Sequence, residues 1–91
     1  MKREQALNIV EFFKSKLTKY ELFREEEKSV TLIDTPLELP KVLIYFNGDE
    51  KIAALEHFKS DDGDMVQIVY KNSTILTDDV NLCKYIIERM E

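Results

Sequence analysis

Two glycines, two prolines, one cysteine, one histidine and no tryptophan are spread over 91 residues, and each scarcity removes a class of chemistry. With glycine only at positions 48 and 63, no G-x-x-x-x-G-K, G-x-G-x-x-G or G-x-S-x-G segment can be written, so the usual nucleotide cradles and the nucleophile elbow of serine hydrolases are excluded. The lone Cys83 rules out an internal disulfide framework. One histidine and one cysteine are too few for the common zinc sets. No cofactor, no metal and no catalytic set is predicted.

Long hydrophobic runs are also missing. Nothing apolar enough for a signal peptide or a membrane span follows Met1-Lys2-Arg3, which predicts a cytoplasmic protein that does not enter the membrane. Asn72-Ser73-Thr74 matches a glycosylation sequon, but without secretion it reads as a turn.

What is present is enough apolar surface for one core. Hydrophobic residues make up 44% of the chain, which suits a single globular domain over residues 1–91 and separates it from disordered sequences despite a charged fraction of 34%. The net charge of −5 is uneven: residues 1–20 carry five Lys/Arg against two Glu, and residues 21–91 carry eight against sixteen acidic side chains. An acidic body disfavours direct binding to nucleic acid, because attraction to phosphate needs a basic surface.

Apolar residues Ala6, Ile9, Val10, Phe13, Leu17 and Tyr20 recur at three- and four-residue spacing, which predicts an amphipathic helix from Arg3 to about Lys19. Short runs then suggest strands at Glu21–Glu25 and Val30–Asp34, joined by a polar hairpin over Glu26–Ser29. Pro36 and Pro40 bracket Leu37–Leu39, which reads as an extended connection or a sheet edge. Lys41–Phe46 is a nearly continuous apolar run that ends in Asn47-Gly48, a pair suited to a type I′ hairpin. Residues 51–59 have helical propensity at Ala53–Glu56, but the preceding hairpin favours a strand. A turn at Ser60–Asp64, strands at Met65–Lys71 and Thr74–Leu76, and a last helix capped by Thr77 or Asp78 complete the chain. In that helix Val80, Cys83, Ile86, Ile87 and Met90 form one apolar arc. The predicted fold is α+β: a two-layer sandwich with both terminal helices on one face of a four- or five-stranded, mainly antiparallel meander. The other face is either solvated or paired with another copy.

Few constellations suggest chemistry. Cys83 lies on the apolar arc of its helix, where burial would keep a thiol inert. His57 could serve an acid/base role with distant carboxylates, although on a strand its neighbour Glu56 points to the opposite face. Asp61, Asp62 and Asp64 offer oxygen ligands on a turn, but apolar Met65 and Val66 follow where a calcium loop needs further donors. The basic residues of the first helix, Lys14, Lys16 and Lys19, share their surface with Glu4 and Glu11, which weakens any attraction to phosphate.

The remaining signals concern partners. Leu7, Phe12 and Tyr85 fall outside the core arcs of their helices and could anchor an interface. Asp49, Glu50, Asp61, Asp62 and Asp64 gather at two predicted hairpin ends, where they could steer a basic partner. The sequence is therefore read as a small acidic, non-enzymatic interaction domain of adaptor or regulatory type, docking on another protein or forming a homodimer. Two alternatives stand beside it: an acidic inhibitor that mimics nucleic acid in its target's groove, and a small hydrolase or metal-dependent enzyme built on His57.

Overall fold

The computed structural model describes residues 1–17, 22–32 and 35–90. Helix α1 spans Arg3–Lys16, and strands β1 (Leu22–Leu32), β2 (Thr35–Asn47), β3 (Glu50–Phe58), β4 (Met65–Tyr70) and β5 (Ser73–Thr77) follow, with helix α2 (Val80–Glu88) last. The strands pair in sequence order, each antiparallel to the next, to give an open five-stranded meander. Both helices pack on one of its faces, in the expected two-layer α+β arrangement.

Alternation along the strands selects that face. Register sets Leu43, Leu55, Ile68 and Ile75 in one row across β2 to β5, with Tyr45, Ala53 and Tyr70 in the next. On these rows lie Ala6, Ile9, Val10, Phe13 and Leu17 from the α1 end of the chain and Cys83, Ile87 and Met90 from the α2 end, all buried. Phe13 meets Tyr45 edge to face at 5.3 Å between ring centroids, a geometry favoured by aromatic quadrupoles. The Tyr45 hydroxyl donates to the Lys14 carbonyl, tying the last turn of α1 to β2.

Both helices start at the same end of the sheet. Met1 is hydrogen-bonded to Asp64 beside the β3–β4 turn, and α2 begins directly after β5 reaches that end. The α2 cap is Asp79, one residue beyond the expected pair: its carboxylate accepts from the Leu82 amide, while Thr77 Oγ1 accepts from the Asp79 amide and shapes the approach.

Two local expectations are corrected. Residues 26–29 are not a hairpin but part of β1, which runs through them with a register shift between Glu27 and Ser29. Of the two readings of the Pro36–Pro40 segment the sheet edge holds: it is strand, continuous with Lys41–Asn47, and pairs with β1 but not with β3. It is tolerated because β3 pairs with β2 only from Lys41 onward, and Pro40 falls in the irregular part of the β1–β2 ladder, where no amide is required of it. At the β2–β3 turn only Gly48 has positive φ, at 62°, and Asn47 pairs with Glu50, so the central residues are Gly48 and Asp49. That sign pattern belongs to a type II′ turn rather than I′. Residues 51–58 are strand as expected, hairpin closure overriding alanine propensity. The helical residues expected at 18–19, Tyr20, and the strand ends expected at Glu21 and Ile33–Asp34 lie outside the described residues.

Truncation at the centre of this layer should be costly. Phe13→Ala is expected to lower unfolding free energy in urea by about 3–5 kcal/mol, because both transfer and cavity terms apply. Leu7→Ala, at a half-exposed position of the same helix, should change it by less than about 0.5 kcal/mol.

Candidate functional site

The densest polar constellation joins α1 to the β3–β4 hairpin. His57 ends the inward-facing row of β3, and its Nε2 lies 2.7 Å from Asp64 Oδ2; both side chains are buried. The same oxygen accepts from Arg3 Nε at 2.6 Å, and Asp64 Oδ1 accepts from the Ser60 amide. Backbone bonds reinforce the junction: Met1 N donates to the Asp64 carbonyl at 2.8 Å, and the Asp64 amide donates to the Met1 carbonyl at 2.7 Å. Gly63 suits this turn through its backbone conformation. Its φ of 128° is one that L residues rarely adopt, whereas a Cβ there would make only ordinary contact with the Met1 backbone, at 3.6 Å.

Burial resists ionisation of Asp64, but hydrogen bonds from Arg3, His57 and the Ser60 amide, with the charge of Arg3, outweigh it and lower the carboxyl to about 2. An ionised Asp64 places the hydrogen on His57 Nε2, leaving Nδ1 buried and, among the described residues, without a hydrogen-bond partner. An Asp–His pair becomes a general base only when the far nitrogen reaches a substrate. Here the far nitrogen is shut into the core, so the constellation works as a clasp that pins the start of α1 to the hairpin.

Cys83 is no nucleophile for it. Burial, then the charge of Asp79, raises its thiol to about 11, and no hydrogen bond links it to His57. Iodoacetamide at pH 8 is therefore expected to label Cys83 only after denaturant is added; rapid labelling of the native protein would show an open core.

The clasp also fixes a pH dependence. The carboxyl of Asp64 titrates lower in the folded than in the unfolded chain, so the folded form holds fewer protons and acid favours unfolding. Its contribution is complete above about pH 4–5 and fades as pH falls towards about 2. Asp64→Asn should cost about 2–3 kcal/mol at pH 7, with the gap from wild type closing between pH 4 and 2 in urea titrations.

The expected interaction residues do not gather at one place. Leu7 is 48% exposed and Tyr85 54% exposed, on α1 and α2 respectively, whereas Phe12 is half-buried and packs against the core. Asp49 and Glu50 sit exposed at the β2–β3 turn, and Asp61 and Asp62 at the β3–β4 turn. The nine residues of β3 separate those turns by roughly 27 Å at about 3.4 Å per residue, so they form two small acidic tips rather than one patch. Asp64 is not at a tip at all, because its carboxylate is drawn inward by His57 and Arg3. Among the described residues no group of three or more His, Cys, Asp or Glu side chains is placed to hold a metal ion, and no helix is long and apolar enough to cross a membrane.

A surface that the sequence reading left open is better defined. On the helix-free side of the sheet, register aligns Ile44, Ala54, Val69 and Thr74, flanked by Val42, Phe46, Phe58, Met65 and Leu76. Among the residues of β2 to β5 its polar positions are Lys51, Glu56, Gln67 and Thr74. Leu76 is 52% exposed and Met65 38%. The near-continuous apolar run of β2 was the available signal, since a strand with one wet face ordinarily alternates. The chain matches no family model, no curated protein and no solved structure.

Proposed function

We propose that this chain is a small protein-interaction domain that associates through its helix-free sheet face, and that a second copy of the chain is the occupant. The observation that carries the reading is the apolar row Ile44–Ala54–Val69 on a face that no helix of the described residues covers, where a solvated antiparallel sheet would present polar side chains. Charge supports a self-complementary arrangement. A two-fold axis crossing β3 near Ala54 sets Lys51 of one copy over Glu56 of the other, twice, around the apolar centre. The product is a four-layer stack with two sheets back to back. The burial of His57 and Cys83 supports a non-enzymatic role, and a single cysteine fits a reducing, cytoplasmic setting. The wide separation of the acidic tips gives no support to a nucleic-acid mimic.

Sedimentation velocity at about 100 µM, well above the dissociation constant of a specific dimer, tests the reading. Wild type is expected to sediment as a dimer, and Val69→Glu as a monomer with unchanged far-ultraviolet circular dichroism. Lys51→Glu should weaken the dimer, and adding Glu56→Lys should restore it. A monomeric wild type, or a dimer indifferent to Val69→Glu, would overturn the proposal.

A further inference from the structure

At the far end of the helical face, α2 and the β4–β5 hairpin enclose a half-open groove of about 250 Å³. Ile68, Ile75 and Ile86 form its apolar floor, and Tyr70 and Tyr85 stand at its sides. Two cations mark the rim: the Arg89 guanidinium lies 3.3 Å from the centroid of the Tyr85 ring, and Lys71 Nζ lies 5.3 Å from that of Tyr70. Among the described residues no acidic side chain lines the groove, although the chain carries a net charge of −5. Lys71 reaches its place through a φ of 55°, which among the described residues no other non-glycine shares.

The neighbouring strand gives the groove a backbone partner. β5 ends the sheet, so the outer row of its amides and carbonyls has no strand beside it among the described residues. Edge strands are ordinarily blunted by Lys, Pro or inward charge, and Ser73-Thr74-Ile75-Leu76-Thr77 contains none of these. A segment added along β5 would gain ladder hydrogen bonds, and alternate side chains would turn towards the groove. The volume holds one aromatic or branched side chain and is below the roughly 300–1,000 Å³ of most small-molecule sites.

We propose that this groove binds an extended peptide segment of a partner protein, which adds to β5, inserts one bulky apolar side chain between Tyr85 and Ile75, and sets an adjacent carboxylate against Lys71 and Arg89. The inference rests on the protein-interaction reading but uses a different surface from the sheet face.

Selection of a phage-displayed library of random twelve-residue peptides on the full chain tests it, with one enriched peptide then synthesised and fluorescein-labelled. Enriched sequences are expected to carry an aromatic or branched aliphatic residue next to Asp or Glu. In fluorescence anisotropy, Lys71→Glu with Arg89→Glu should weaken binding at least tenfold, as should Ile75→Lys, in variants of unchanged circular dichroism. Backbone amide shifts in nuclear magnetic resonance should move at Ser73–Thr77 and along the α2 end of the groove. No enrichment, enrichment of basic peptides, or indifference to all three substitutions would overturn the groove. Peptides whose shifts fall on the Val69 face would overturn it while leaving the sheet-face reading standing, and loss of the dimer with groove binding retained would separate the two in the opposite sense.

Discussion

The structure depends on one burial problem: a meander of antiparallel strands has a broad apolar face, and a single helix of fourteen residues is too narrow to cover it. The chain solves this with two helices that pack against each other and close one core cluster with Leu43, Leu55 and Ile68. Phe13 is central to that layer because it packs edge-on to Tyr45 on one side and reaches the core cluster on the other. Dry packing of this kind is non-directional, so by itself it leaves the helices free to slide along the sheet.

Polar contacts remove that freedom. At one end Arg3, His57 and Asp64 converge on a shared carboxylate, and at the other the Tyr45 hydroxyl holds the final turn of α1. The residues that would be sought first for catalysis are consumed in this positioning. His57 and Asp64 are close enough for acid/base chemistry, but water and substrate are excluded from the ring nitrogen that would have to act. The surfaces left for function are then those at the margins of the covered layer: the opposite face of the sheet, and the cleft where α2 parts from β5.

Much of the architecture was legible in the residues. The three- and four-residue spacing from Ala6 to Leu17, and from Val80 to Met90, marks two helices because burial on one side requires that period. Hairpin glycines and β-branched runs mark the later strands. Residues 26–29 were less legible, because a polar run resembles a turn, and the prolines at 36 and 40 left a connection and a sheet edge both open until the reach of β3, only to Lys41, is known. The site was legible only in part. Tyr85 stands out on the polar side of its helix, and it does border the groove.

What the sequence by itself determined is the class of the fold and the chemistry it lacks. Periodicity sets which side of each element is apolar, and missing residue types cannot be supplied by folding. Only the tertiary structure decided which groups share a space. Arg3, His57 and Asp64 are joined by register and helix docking across some sixty residues of chain, a distance over which no local pattern carries information. The same holds for Lys71 and Arg89, which become one rim because α2 runs back along β5. Burial, too, is a property of the assembled layers: Asp64 and Asp62 are the same residue type two positions apart, yet one closes the core and the other faces water.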